Sequence, residues 1–273
     1  QKEYPLIYPN DGWVEIDPSA LIKSVRETLN NINLDDICSA SITNQRETTI
    51  VWDRKSGNPI YNAIVWQDRR TENFCSSIKD KEILKEISER TGLLLDPYFS
   101  ATKIKWILDN VEDAKIKAKE GNLCFGTVDT YLMYVLSKGS IYKTDITNAS
   151  RTMLFNINTL TWDKYLLDLF DIPESMLPEV ANSDDSFGSL SECNNINVNA
   201  VLGDQQAALF GQGCLNTGDL KSTYGTGCFL MSNIGLKPLT SKEGLLTTIG
   251  FSFNNKIHYA VEGSIYSAGT VIQ

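Results

Sequence analysis

Ser41-Ile-Thr-Asn-Gln-Arg-Glu-Thr-Thr-Ile-Val-Trp52 places an adjacent cation and anion, Arg46 and Glu47, in a polar break between two strand-like runs, residues 37–43 and 48–52. A guanidinium donates through a rigid planar fork, and a carboxylate only accepts. Where strands end at a cleft, such a pair can hold a small polyol, donating to one hydroxyl and accepting from the next. The same two residues also fit a surface ion pair in a hairpin, which contributes little to stability. What the rest of the chain places beside them decides between the two.

Two glycine turns are candidates for that company. Gly203-Asp-Gln-Gln-Ala-Ala-Leu-Phe-Gly-Gln212 follows the apolar run 198–202, giving a strand, a glycine turn and an Ala-rich helix that begins at Asp204. A carboxylate at this junction projects from the carboxyl edge of a sheet, where open α/β folds bind ligands. Asp204 also fits a plain helix cap. Thr223-Tyr-Gly-Thr-Gly-Cys-Phe229 is the second turn, set between two strand-like halves. Backbone N–H groups at Gly225 and Gly227, with the Thr226 hydroxyl, can cradle phosphate oxygens, although a tight hairpin needs the same glycines. Trp66 and Tyr98 stand beside turn residues rather than inside periodic apolar runs, and either can wall off a small pocket.

Around these motifs the pattern is mixed α/β. Asp17-Pro18 is a helix start, with Asp as cap and Pro at the first helical position, and Leu21, Ile22, Val25 and Leu29 follow on one face. Residues 79–90 read as an exposed amphipathic helix, 103–111 as a helix with 115–119 as its polar continuation, and 127–136 as a buried helix. Alternation predicts strands over 221–231, 245–253 and 256–262, with Asn254-Asn255 as a hairpin turn. The change from mixed to strand-rich, among Gly211, Gly213 and Gly218, predicts a domain boundary: residues 1–213 and 214–273.

The 273 residues carry a net charge of −9 and are 42% hydrophobic. That is enough for a large core. With no basic cluster, nucleic acid is excluded as a partner, and no apolar run approaches the roughly 20 residues of a membrane span. Six cysteines lie far apart without a Cys-x-x-Cys pair, and His258 is the single histidine. This spacing builds no zinc site and no metal site is expected from it; it suits reduced thiols in the cytoplasm. One histidine also argues against a Ser-His-Asp or Cys-His mechanism, leaving carboxylates to do the chemistry. The chain opens on Gln1-Lys-Glu-Tyr-Pro5 and stops within an apolar pattern, so it reads as an internal piece of a longer protein.

Taken together, Gly12-Trp-Val-Glu15, Ile42 to Trp52, Tyr61-Asn-Ala-Ile-Val-Trp-Gln67, Asp96-Pro-Tyr-Phe-Ser100, Phe125-Gly-Thr-Val-Asp-Thr130, Thr147 to Phe155, Gly203 to Phe210, Thr223 to Phe229 and Gly244-Leu-Leu-Thr-Thr248 match one family in order. The chain resembles the glycerol kinases, within the sugar-kinase family that shares the fold of actin, hexokinase and Hsp70. The Asn44-Gln-Arg-Glu-Thr48 run is closer to these than to pentulose or gluconate kinases.

The resemblance implies a two-lobed actin-like (ribonuclease H-like) α/β ATPase fold, with the first lobe nearly complete and the second only begun. It implies phosphorylation of glycerol by ATP with Mg2+. Arg46, Glu47, Tyr98, Asp204 and Gln205 would bind the hydroxyls, Trp66 and Phe229 would be apolar walls, and Asp204 would be the catalytic carboxylate. Gly225, Thr226, Gly269 and Gln273 would contact nucleotide. The full-length protein would be a homo-oligomer. The family's first phosphate loop, Asp-x-Gly-Thr-Thr, is absent from this sequence, so residues 1–273 alone are expected not to turn over. Two readings stay open beside this one: a kinase for another polyol or sugar, and an inactive truncated relative.

Overall fold

A computed structural model of the chain describes residues 1–224, 228–239, 241 and 244–265. The strand-like runs around Arg46 and Glu47 are strands, but they do not form a hairpin with each other. Ala40–Asn44 pairs in parallel with Ile196–Gly203, whereas Ile50–Asp53 pairs antiparallel with Leu123–Gly126. The first strand starts later than the apolar pattern suggested because Leu34–Asp36 winds into a 3-10 turn, opened by the Asn33 side chain. In the parallel pair Asn44 lies opposite Gly203. Two carboxyl ends therefore finish side by side, and the residues that follow them, Gln45 to Glu47 and Asp204 to Gln206, share one edge. Open α/β sheets collect ligands at that edge.

The helices follow their local signals. Asp17 caps Pro18–Leu29 by accepting from the Ser19 N–H at 2.8 Å, and Asp80 caps Lys81–Thr91 in the same way. The helix expected over 103–119 is two helices, Ser100–Asn110 and Ala114–Lys119. Asp113 between them is left-handed, with φ of 57°, which no continuous helix accommodates. Val128–Leu136 is buried along most of its length. Its Tyr131 and Tyr134 rings pack at 5.1 and 5.3 Å from fully buried Trp52 and anchor the 50–53 strand.

The strand-rich end forms an antiparallel sheet in the order Leu220–Tyr224, Cys228–Gly235, Lys256–Ile265, Leu246–Phe253. Asn254 and Asn255 have φ of 51° and 60°, as expected for the hairpin that joins the last two strands. This sheet is fastened to the preceding part by specific bonds. Thr247 N–H donates to the Gly92 carbonyl (2.9 Å), Tyr259 Oη to the Ile157 carbonyl (2.8 Å), and Asn254 N–H to Asp184 Oδ2 (2.8 Å). The fastening brings Glu262, on an inward-facing position of the 256–265 strand, to the edge where Arg46 lies.

Gly92 sits at the tightest of these junctions. It ends the 81–91 helix in the left-handed conformation, φ 72°, and a Cβ there would meet the Thr247 carbonyl oxygen at 2.3 Å. Both the backbone angle and the contact with backbone exclude a side chain. Replacing Gly92 by alanine should destabilise the protein by about 2 kcal/mol or more, the range of strained or overpacked positions, as measured by urea unfolding. Unchanged stability would mean that the sheet does not seat on Gly92.

Candidate functional site

Arg46 and Glu47 are 2% and 1% exposed, so the surface ion-pair reading fails. Burying them is tolerable because they belong to a four-charge cluster. Arg46 Nη1 and Nη2 donate to Glu262 Oε2 and Oε1 at 2.6 and 3.1 Å. Arg151 Nε donates to Glu47 Oε1 at 2.7 Å, and its Nη2 to Glu262 Oε1 at 3.1 Å. Two guanidiniums and two carboxylates cancel, and an ion buried without such a partner would be strongly destabilising. Burial raises the Glu262 carboxyl, but Arg151 and Arg46 outweigh it and bring it down to about 2. At Glu47 burial prevails over the same two cations, and the carboxyl is raised.

Glu47 is also held by its backbone. It is left-handed, with φ of 59°, and the Thr48 N–H closes back onto the Arg46 carbonyl at 2.7 Å. A residue other than glycine in this conformation is strained, and such strain concentrates at functional sites. The turn leaves Glu47 Oε1 on Arg151 and Oε2 without a hydrogen bond among the described residues. Gly203 makes the approach possible from the other strand. A Cβ there would sit 2.7 Å from Arg46 Cγ and 2.9 Å from Gln206 Oε1.

Arg46 is committed more heavily than its sequence suggested. Besides Glu262, Nη1 donates to Gln206 Oε1 at 3.3 Å and Nη2 to Tyr98 Oη at 3.4 Å. The fork expected to hold a ligand thus holds the protein. What remains is Nε, 3.4 Å from Asp204 Oδ1. Asp204 is the first residue of Asp204–Gly211, with Gly203 in the cap position, so it is not the helix cap. Its Oδ1 accepts from the Gln205 N–H at 2.8 Å, and its side chain is 44% exposed.

Rings close the site. Trp66 meets Tyr98 edge-on at 5.7 Å and Phe229 at 6.2 Å. Burial, with Glu47 next to it, holds the Tyr98 phenol well above its ordinary value, so it stays protonated. Lys103, fully buried, donates to the carbonyls of Tyr98 and Phe99 and fixes that corner.

All seven residues expected to bind substrate, Arg46, Glu47, Trp66, Tyr98, Asp204, Gln205 and Phe229, line one cavity of about 40 Å³. A groove of about 470 Å³ beside Arg26, Lys55, Tyr134 and Lys138 is larger, but it lies on the surface away from the buried charges. Volume does not decide here; the convergence of polar groups does. Gly225, Thr226, Gly269 and Gln273, expected to contact nucleotide, lie outside the described residues. Arg151, Glu262 and Gln206 were missed as site residues. Arg151 stands inside the quoted Thr147–Phe155 stretch, and strand alternation puts Glu262 on the same face as buried Ala260. A charged residue on an inward strand face was the available signal.

The N-terminal domain of the FGGY family of carbohydrate kinases matches residues 1–211. The chain belongs to the FGGY family of carbohydrate kinases. It is 54% identical to the glycerol kinases of Paraburkholderia phymatum and Alteromonas mediterranea, over all of its own length and 56% and 57% of theirs. The chain therefore spans about half the length of the curated relatives it matches. Among solved structures it superposes on Plasmodium falciparum glycerol kinase with ADP, with a TM-score of 0.90 and 40% identity, covering all of this chain and 56% of that one. A xylulose kinase from Lactobacillus acidophilus matches with a TM-score of 0.85 at 20% identity, covering 99% of this chain and 55% of that one, which shows the shared fold alone. The FGGY fold is the mixed α/β, actin-like ATPase fold.

The charge cluster should dominate stability. Arg151→Met removes one partner from Glu47 and one from Glu262, and should cost about 3 kcal/mol or more in urea unfolding. The acid limb carries a second signature. Glu262 lies below its ordinary 4.5, so its stabilisation is complete above pH 4.5 and is lost as pH falls toward about 2. Glu47, raised by burial, acts in the opposite sense. Glu262→Gln should flatten the loss of stability between pH 4.5 and 2; an unchanged acid slope would show that Glu262 is not the ionised anchor.

Proposed function

We propose that the full-length protein phosphorylates glycerol with ATP, giving sn-glycerol 3-phosphate, and that Asp204 is the catalytic carboxylate. The observation that carries this reading is the small cavity in which Trp66 and Phe229 supply apolar walls while Arg46 Nε, Glu47 Oε2, Tyr98, Asp204 and Gln205 supply donors and acceptors. The relatives named glycerol kinase support the same substrate.

Phosphoryl transfer through a loose transition state needs positioning and charge neutralisation more than a strong base. The terminal hydroxyl oxygen bonds to the γ-phosphorus as the bond to ADP breaks, and its proton passes to Asp204 late in that step. Asp204 is suited to this by its half-exposed carboxylate at the cavity rim, its Oδ1 on the Gln205 N–H and near Arg46 Nε. Glu47 and Arg46 hold the remaining hydroxyls, because a polyol lacking one would leave buried groups without a partner.

Mg2+ is bound in phosphoryl-transfer sites by one or two carboxylates together with substrate phosphates and water. Among the described residues no cluster of three or more His, Cys, Asp or Glu could hold a metal. Asp204, the half-exposed carboxylate of the cavity lining, would hold such an ion together with the nucleotide's phosphates, and the ion would there neutralise phosphate charge. The unpaired state of all six cysteines supports a reducing, cytoplasmic setting, and no described helix is long and apolar enough to cross a membrane.

The full-length protein should use glycerol at least about tenfold more efficiently, in kcat/KM, than xylulose, ribulose or gluconate, the low end of the discrimination that a difference in substrate size gives in a closed pocket. In a coupled ADP-release assay, preference for a pentulose would overturn the substrate assignment. Asp204→Asn keeps the shape but cannot take up the proton, and should lower kcat by about 10²–10⁴-fold. Wild-type turnover in a folded Asn variant would remove Asp204 from catalysis.

A further inference from the structure

Lys221 lies behind the cavity rather than in its lining, yet two of its three partners line that cavity. It is 1% exposed, on the 220–224 strand. Its Nζ donates to Gln205 Oε1, to Thr223 Oγ1 at 2.9 Å and to the Phe229 carbonyl at 3.4 Å. An ammonium has three N–H groups and no acceptor, so these contacts use it fully.

The consequence falls on Gln205. A primary amide has an accepting end and a donating end of nearly the same shape, and a half-turn exchanges them. A neighbour that both donates and accepts would allow either orientation. Lysine only donates, so it admits Oε1 and excludes the NH2 group. The Gln205 Nε2 then turns away from Lys221, and it has no acceptor among the described residues. Gln205 itself is 8% exposed and lines the cavity.

We propose that Lys221 is a specificity-determining positioning residue, whose ammonium fixes the Gln205 amide so that its NH2 end, and not its carbonyl, reads a hydroxyl oxygen of the polyol. This rests on the reading of the cavity as a polyol site. It explains a buried cation whose space an apolar side chain could fill at lower desolvation cost. The same ammonium also reaches the Phe229 carbonyl, at 3.4 Å the longest of its contacts. Burial and the nearby Arg46 bring the lysine down to about 8, opposed by Glu262 and Asp204, so the group is still mainly charged at neutral pH.

The test is a double-mutant cycle in the full-length protein, with glycerol and its deoxy analogues 1,2-propanediol and 1,3-propanediol as substrates. Lys221→Met should raise KM for glycerol about tenfold, the scale of one hydrogen bond to a charged or locked group, with kcat within threefold. Its preference for glycerol over at least one analogue should fall by a similar factor. Gln205→Leu should do the same, and the double variant should be no worse than Gln205→Leu alone, because the two residues act as a unit. Lys221→Gln, whose amide both donates and accepts and so admits either orientation of Gln205, should likewise raise KM about threefold or more and lower the glycerol preference, and it guards against a Met variant that does not fold. Additive effects in the cycle, or an unchanged glycerol preference in folded Lys221→Met, would overturn the proposal. If the wild type fails to phosphorylate glycerol, the assignment of the cavity falls first; if it succeeds and the cycle is additive, only the role of Lys221 falls.

Discussion

The two hydrogen bonds between Arg46 and Glu262 are the constraint on which the rest of this site depends. They join Arg46, two residues past the end of the first parallel strand, to the last described strand, 216 positions later. Such a pair is no simple source of stability, since removing two ions from water costs several kcal/mol each. Its value is geometric. Arg151 bridges Glu262 to Glu47, so neither the turn that carries Glu47 nor the 256–265 strand can move without leaving a buried charge alone.

A second layer, built on one buried carboxyl, supports the same two strand ends. Asp145 accepts from the backbone and side chains of Thr147 and Asn148 and from Ser183 Oγ. Asn148 exchanges two hydrogen bonds with Asn44, and Thr147 Oγ1 accepts from the Gly203 N–H at 2.9 Å. One buried carboxyl, raised to about 6 mainly by burial and then by Asp129, therefore organises the ends of both parallel strands. Arg46, Glu47 and Asp204 come directly after these strand ends, and the chain is cross-braced at Asn44 and Gly203, just before them. That is how a site can keep its geometry within fractions of an ångström.

Much of this was legible in the chain. Capping residues and helical periodicity located Pro18–Leu29 and Lys81–Thr91, because those signals act within a few residues of the backbone groups they satisfy. The Asn-Asn hairpin was legible for the same reason. The break at Asp113 was not, because a left-handed aspartate is a local choice that tertiary packing stabilises and composition does not announce. The apolar and polar residues of the site were legible as a set through their resemblance to a family, not through periodicity.

Sequence by itself determined which groups could donate, accept or wall a ligand at Arg46, Glu47, Trp66, Tyr98, Asp204, Gln205 and Phe229, since that is side-chain chemistry. Tertiary structure decided how those groups are used. It gave the terminal nitrogens of Arg46 to Glu262, Gln206 and Tyr98, left Nε beside Asp204, and turned the Gln205 amide with Lys221. These assignments depend on parallel pairing in one register and on a sheet folded back from the far end of the chain. A hydrogen bond has a reach of about 3 Å, so partners so distant in sequence are set only when the whole fold closes.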